Sequence, residues 1–343
     1  MIKKDEIHEF PLSLPGELWG ITTYFNPAGY KTKSTLYRLF RESCKNQGLN
    51  LLTVELAFDT ASFELGDRDA DRLIQLRTEK ENILWQKEAM LNIALKNLPP
   101  DCDKIVWLDC DIIFKNQEWV KETATLLERY PIVQPFTYCV RLARGQQDLP
   151  TAVINQMISG EMPGDIIPGR IYSIVHEDTE RFPYSGWTGY AWAGRRKIFD
   201  TIQFFDYGII GSGDYFMAEA FTKGYPWKIL ENYTEEMRQK YLEWSEKASK
   251  EINNSLFFTE GVILHLWHGE RKNRDYDDRH GKIGSLEFNP DIDLKKNADG
   301  LWELTDDRDG IRKAVYQYFI DRNEEGSLAT QISIVLRKLC SRR

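Results

Sequence analysis

The sequence predicts an α/β fold: a mixed, mostly parallel sheet flanked by helices, with a C-terminal helical extension. Two observations carry the expectation. Apolar runs of strand length alternate with segments of helical period over the first 136 residues, and that alternation is the mark of a mostly parallel sheet covered by helices. The strongest apolar run, Lys104 to Phe114 (KIVWLDCDIIF), contains two aspartates one residue apart, and ligands of such sheets gather at the carboxyl ends of strands.

The elements follow in order. Leu18 to Phe25 (LWGITTYF) reads as a first strand, closed by the turn residues Asn26-Pro27-Ala28-Gly29. Lys33 to Gln47 reads as a helix with Leu36, Leu39 and Phe40 on one face, and Leu51 to Ala57 as a second strand. Ile83 to Leu98 reads as a helix with an apolar stripe of Leu84, Leu91 and Leu95, stopped by Pro99-Pro100. The strand ending at Asp109 comes next, then a helix over Glu118 to Arg129 and a strand over Ile132 to Phe136. From Arg141 to Arg181 glycines and prolines break the pattern, which predicts a long irregular insertion with short helices at most. Character returns in Gly186 to Arg196 (GWTGYAWAGRR), Ile209 to Ala218 (IIGSGDYFMA) and Gly261 to Arg274 (GVILHLWHGERKNR). A helix is expected near Ala314 to Asn323, and Ala329 to Arg343 is amphipathic and basic, more in keeping with a docked tail than with a membrane contact. The expected division is one domain over 1–290 and an extension over 291–343.

Composition narrows the function. The formal net charge is −8, which disfavours tight non-specific nucleic-acid binding, since that needs many Lys/Arg–phosphate contacts. Five scattered cysteines with no CxxC pair indicate neither a zinc knuckle nor a disulfide framework. They fit a reducing compartment. No segment has the length and apolarity of a membrane span, and the expectation is a cytoplasmic protein.

Four segments carry candidate chemistry. In Asp109-Cys110-Asp111 the alternation of a strand would set both carboxylates on one side. Two aspartates in an apolar setting are costly to ionise without a partner, and hard oxygen ligands suit Mg²⁺ or Mn²⁺. The same pair would also serve as a strand cap and turn. Lys87, in Trp85 to Asn92 (WQKEAMLN), is a competent phosphate partner, although by itself it reads as a solvated lysine on an amphipathic helix. Gly211-Ser212-Gly213-Asp214 lets the backbone pass close to a ligand and offers Asp214 as a base; it equally describes a turn into a helix. His265 and His268, close to Arg271, Lys272, Asn273 and Arg274, offer imidazole ligands beside a phosphate-facing basic run.

The ordered set ITTYFNP, WQKEAMLN, WLDCD, GYAWAGRR, FFDYGIIGSGD and HLWHGERKNRDYDDR resembles the GT-A nucleotide-sugar glycosyltransferases over about residues 18–282. Its motif order is similar to the beta-1,4-galactosyltransferase type and, more loosely, to the polypeptide N-acetylgalactosaminyltransferases. The resemblance implies a GT-A fold, Mn²⁺ (or Mg²⁺) as cofactor and a UDP-sugar as donor. It implies that Asp111 binds the metal directly and that Asp109 contacts the ribose or the metal. His268 is then the first choice for the remaining ligand and His265 the second. Lys87 and Arg271 would face the diphosphate, and Thr22, Thr23 and Tyr24 would line the uridine pocket. Trp187, Tyr190 and Trp192 would flank the donor sugar or acceptor, and Asp214 would be the general base of an inverting transfer. The family's Gly-Gly-Glu-Asp stands here as Gly-Ser-Gly-Asp, which leaves the acceptor open among a saccharide, a protein and a hydroxylated DNA base such as 5-hydroxymethylcytosine. The last is the phage-type alternative, with Arg141, Arg144, Arg170 and Arg271 to Lys282 as its basic groove. A bacterial or phage enzyme is the expectation.

Overall fold

The structure is a computed structural model and describes residues 2–176, 186–276, 278–305, 307–330 and 332. The chain enters through β1 (Glu17–Phe25), α1 (Lys31–Asn46), β2 (Asn50–Phe58) and β3 (Arg72–Thr78). A 3-10 turn at Lys80–Asn82 precedes α2 (Lys87–Lys96), β4 (Cys102–Leu108), β5 (Ile112–Phe114), α3 (Trp119–Leu127) and β6 (Ile132–Gln134). The middle of the chain supplies β7 (Tyr138–Arg141), α4 (Thr151–Ser159), β8 (Ile166–Pro168), α5 (Arg170–His176), β9 (Ala191–Arg195), α6 (Arg196–Ile202) and α7 (Gly213–Phe221). Then come α8 (Trp227–Leu230), α9 (Glu235–Ile252), β10 (Leu256–Phe258), β11 (Val262–His265), a 3-10 turn at Arg271–Arg274, α10 (Arg279–Gly284) and α11 (Pro290–Asp293). The hairpin β12 (Leu294–Lys296) and β13 (Trp302–Leu304) and helix α12 (Asp309–Asp321) complete the described elements.

The main sheet has seven strands in the order β10-β6-β9-β4-β1-β2-β3. β1 runs parallel to β2 and β4, β2 to β3, and β10 to β6, whereas β9 is antiparallel to both of its neighbours. This is the mixed, mostly parallel α/β sheet that the strand–helix alternation predicts. Its strands are apolar on both faces because helices cover both. Along β4, Ile105 and Trp107 enter one apolar core and Val106 and Leu108 the other, as a period of two requires. A second sheet, β5-β11-β7-β8, stands at the carboxyl edge of the first. Leu294, Leu301, Trp302, Leu304, Ile311, Val315 and Phe319, all beyond Pro290, join the larger core. No helix among the described residues is long and apolar enough to cross a membrane.

Some elements differ from the sequence reading. The helix expected from Ile83 begins only at Lys87, because residues 83–86 are drawn across to other elements. Trp85 N–H donates to Ile209 O at 2.9 Å, and the Gln86 amide exchanges bonds with the Trp302 backbone. Lys87 is thereby placed in the first turn of α2. The insertion at 141–181 holds a strand as well as short helices, since β8 pairs antiparallel with β7; its last five residues lie outside the described ones, as does most of the basic tail. β3 and α9 were not anticipated.

Candidate active site

β4 ends at Leu108, so Asp109, Cys110 and Asp111 form a turn and strand alternation does not govern them. The two carboxylates accordingly serve different partners. Beyond the turn, β5 pairs antiparallel with β11 and sets Ile112 opposite His265. Leu266 N–H donates to Asp111 O at 2.8 Å, which ties the His265–His268 loop to the turn. One ligand atom from each of Asp111, His265 and His268 then falls within 4.8 Å of the others. His268 Nε2 is 3.0 Å from Asp111 Oδ2, His265 Nε2 is 3.7 Å from Oδ1, and the two Nε2 atoms are 2.9 Å apart. Asp111 Oδ1 is buried without a hydrogen-bond partner among the described residues, an arrangement that costs free energy in the absence of a ligand. Burial, reinforced by Arg274, lowers the imidazole pKa values to about 3 for His265 and about 4 for His268. Both rings are therefore neutral at pH 7 and keep lone pairs for a metal. One carboxylate and two neutral imidazoles fit a divalent cation.

The flanking residues hold this cluster in place. Arg274 Nη2 lies 2.8 Å from both ring nitrogens of His268. Glu324 is 3.7 Å from His268 Nδ1 and is bound by Arg322 at 2.6 Å. Burial raises the Glu324 pKa, but Arg322 and Lys33 outweigh it and hold the carboxylate well below its usual range. Gly269, at φ +96°, lets the loop pass close beneath Arg322 O: a Cβ there would stand 2.9 Å from that oxygen.

Asp109 stands apart from the cluster and pairs with the Lys87 ammonium. Its Oδ2 accepts from Tyr190 N–H at 3.1 Å, and its own N–H donates to Tyr190 O at 2.7 Å. Burial opposes the charge on both partners, yet each stabilises the other's ion. The Lys87 pKa lies above its ordinary value and that of Asp109 below.

Asp214 is in the first turn of α7. A side chain at Gly189 would stand 2.8 Å from Asp214 Oδ2 and 2.9 Å from Trp187 Nε1, so carboxylate and indole face one another across that glycine. Burial raises the Asp214 pKa, with Lys87 opposing. The preceding Ser212 has φ +69° and is fixed by its neighbours: its hydroxyl meets His280 Nε2 at 2.9 Å and accepts from Arg279, while His280 Nδ1 meets Tyr233 Oη at 2.9 Å. Sequence reasoning passed over Glu88. It is 2% exposed, its carboxyl packs against Gly213, and burial pushes its pKa up to about 8 against the pull of Lys87. The available signal was one acid within an otherwise apolar helical run beside Lys87.

Of the remaining expected site residues, Tyr190 touches the cluster, its ring centroid 4.9 Å from that of His265, and it stacks on Trp187 at 6.1 Å. Arg271 and Arg141 lie over the Trp187 ring at 5.3 and 4.7 Å, and Arg274, not Arg271, reaches the metal-type cluster. Trp192 is a correction. It is 2% exposed inside the larger core against Phe221, and its indole donates to Thr188 O at 2.7 Å, so it props the 188–190 turn from below. Thr22 is a second: fully buried, it donates to Leu108 O at 2.7 Å and braces β1 against β4. Thr23 is nearly buried. Tyr24 does line a cleft of about 770 Å³ at the carboxyl ends of β1 and β2, together with Asn26, Glu55, Phe58, Asp59 and Arg312. Of the cations expected in a nucleic-acid groove, Arg170 is buried on Glu219, Arg279 is buried, and Lys282 pairs with Asp275.

No protein-family model matches the chain, and no curated protein matches its sequence. Among solved structures it is similar to glucosyl-3-phosphoglycerate synthase from Mycobacterium tuberculosis in complex with Mn²⁺, UDP and phosphoglyceric acid. There the TM-score is 0.38 and the identity 12%, with 82% of this chain and 81% of that one covered. It is also similar to S. aureus TarS 1-349 in complex with UDP-GlcNAc, with TM-score 0.35 and 12% identity, covering 93% and 75%. A putative nucleotide-diphospho-sugar transferase from Desulfovibrio desulfuricans G20 matches with TM-score 0.32 and 12% identity, covering 79% and 93%. The chemistry of the site follows from this chain's own residues.

Proposed function

We propose that the protein is a metal-dependent glycosyltransferase that moves a sugar from a UDP-sugar to an acceptor hydroxyl with inversion. One observation carries this reading. At the carboxyl edge of a mostly parallel sheet, the Asp111, His265 and His268 cluster, with its unpartnered carboxylate oxygen, adjoins a Lys87–Asp109 pair and the half-buried Asp214. Asp111, His265 and His268 would hold Mn²⁺ or Mg²⁺, and the two imidazoles favour Mn²⁺. When bound, the cation neutralises charge on the departing diphosphate.

The chain's own groups do the rest. Lys87 presents a permanently charged ammonium to the diphosphate. The cleft beside Tyr24 receives the uridine. Asp214 takes the proton from the attacking hydroxyl, and burial strengthens it as a base. Glu88, neutral at pH 7, does not compete for that role: environments that split the pKa values of neighbouring acids assign their tasks. One base, with no nucleophile assigned among the described residues, supports inversion. The free thiols Cys44, Cys102, Cys110 and Cys139 favour a reducing, cytosolic setting.

The test is nucleotide release from a panel of UDP- and GDP-sugars with Mn²⁺, with and without EDTA, in wild type and Asp111→Ala. EDTA-sensitive UDP release from one donor, lost in the variant, is expected. Release that survives both EDTA and the substitution refutes the reading.

A further inference from the structure

The indole of Trp187 is half-buried beside the base Asp214 and carries two guanidinium groups. Arg141 comes from the end of β7, where the insertion begins. Its Nε donates to Tyr190 Oη at 3.1 Å and its Nη1 pairs with Asp165 at 3.0 Å, while its Nη2 is buried with no hydrogen-bond partner among the described residues. Arg271 comes from the 3-10 turn after His268. It is exposed, and no carboxylate among the described residues pairs with it. Two cations thus lie against one indole ring, and of the two only Arg141 has a carboxylate partner among the described residues, in a chain whose formal net charge is −8. A cation over an indole gains about 0.5–2 kcal/mol, which does not satisfy a buried guanidinium nitrogen, since an unmet charged donor costs more than a neutral one. An anion with paired oxygens would meet that nitrogen, because the guanidinium fork matches phosphate or carboxylate. The donor's diphosphate already has its own cation in Lys87.

We propose that Arg141, Trp187 and Arg271 form the acceptor subsite, and that the acceptor is a sugar or polyol bearing a phosphate or carboxylate near its reacting hydroxyl. This rests on the glycosyltransferase reading. Trp187 positions the two guanidinium groups, which clamp the acceptor's anion, and Asp214, across Gly189, meets the hydroxyl. Arg271, held by no carboxylate, is the half of the clamp that adjusts to admit the anion to Arg141 Nη2.

The test is calorimetric titration of the full chain in EDTA without donor. The probes are glycerol 3-phosphate and glucuronate, each against its neutral counterpart, glycerol or glucose. At least one anionic probe should bind at least tenfold more tightly than its counterpart, and the stronger of the two names the anion. Arg271→Gln, a surface change that leaves the core intact, and Arg141→Gln should each weaken that binding at least tenfold, while Lys87→Met leaves it in place. Equal binding of charged and neutral probes overturns the proposal, as does binding by none. Loss in Lys87→Met with none in Arg271→Gln assigns the anion to the donor site and also overturns it. Failure of the glycosyltransferase reading shows separately, as absence of metal-dependent nucleotide release while selective anion binding persists.

Discussion

Replacing Glu88 with glutamine should remove a pH dependence from the protein's stability. Glu88 lies in the first turn of α2, 2% exposed, with its carboxyl against Gly213. Burial lifts its pKa from 4.5 to about 8, so the folded protein holds the neutral acid at pH 7. A folded-state pKa raised above the unfolded value contributes stability that is complete below the unfolded value and is lost as pH climbs through the folded one. The loss accrues at up to about 1.4 kcal/mol per pH unit and totals on the order of a few kcal/mol. Glutamine keeps the shape and has no proton to lose. Urea unfolding of both proteins at about pH 5, 7 and 9 measures the difference. Relative to wild type, Glu88→Gln should gain a few kcal/mol between the lowest and highest pH. A difference constant across that range refutes the reasoning.

Three further outcomes are expected. Asp214→Asn should cut transfer by about 10²–10⁴-fold with Mn²⁺ binding unchanged; in wild type, kcat/KM should fall on the acid side at a pH above the ordinary carboxylate range, because burial raises that pKa. Glu324→Gln, which weakens the hold on His268 Nδ1, should reduce Mn²⁺ affinity by about 10–100-fold in a metal titration. Trp192→Ala should destabilise the fold by about 3–5 kcal/mol by chemical denaturation, without the selective rise in acceptor KM that a wall of the sugar site would show.

The sheet was legible where strands are continuous apolar runs. β1, β2 and β4 fall within a residue or two of their expected limits because both faces of the sheet are covered and apolar residues dominate each run. β3 was missed: it is an edge strand with Arg72, Gln75 and Arg77 among its apolar residues, which reads as loop. The signal for α9 was present in Met237, Tyr241, Trp244, Ala248 and Ile252, spaced three to four apart and all buried. The start of α2 was not readable, since partners more than a hundred residues away set it. The same limit applies to the site. Asp111, His265 and His268 stand out by type and local context, whereas Lys87 and Asp214 read equally well as a helix-face lysine and a helix start and were singled out by the ordered set of motifs. The separation of Asp109 from Asp111 depends on where β4 stops, and Glu324 reaches His268 only because residues 322–324, just after α12, pass close to Gly269. Trp192 and Thr22 were expected at the site through the family resemblance, yet the pleat turns both inward.

Manganese binding tests the metal centre most directly. Electron paramagnetic resonance of Mn²⁺ titrated into the full chain, with and without UDP, should show one site that tightens when UDP is added and is lost in Asp111→Asn. No bound Mn²⁺ in wild type, or binding that Asp111→Asn leaves intact, would contradict the assignment of Asp111, His265 and His268 as the cation site of a UDP-sugar transferase.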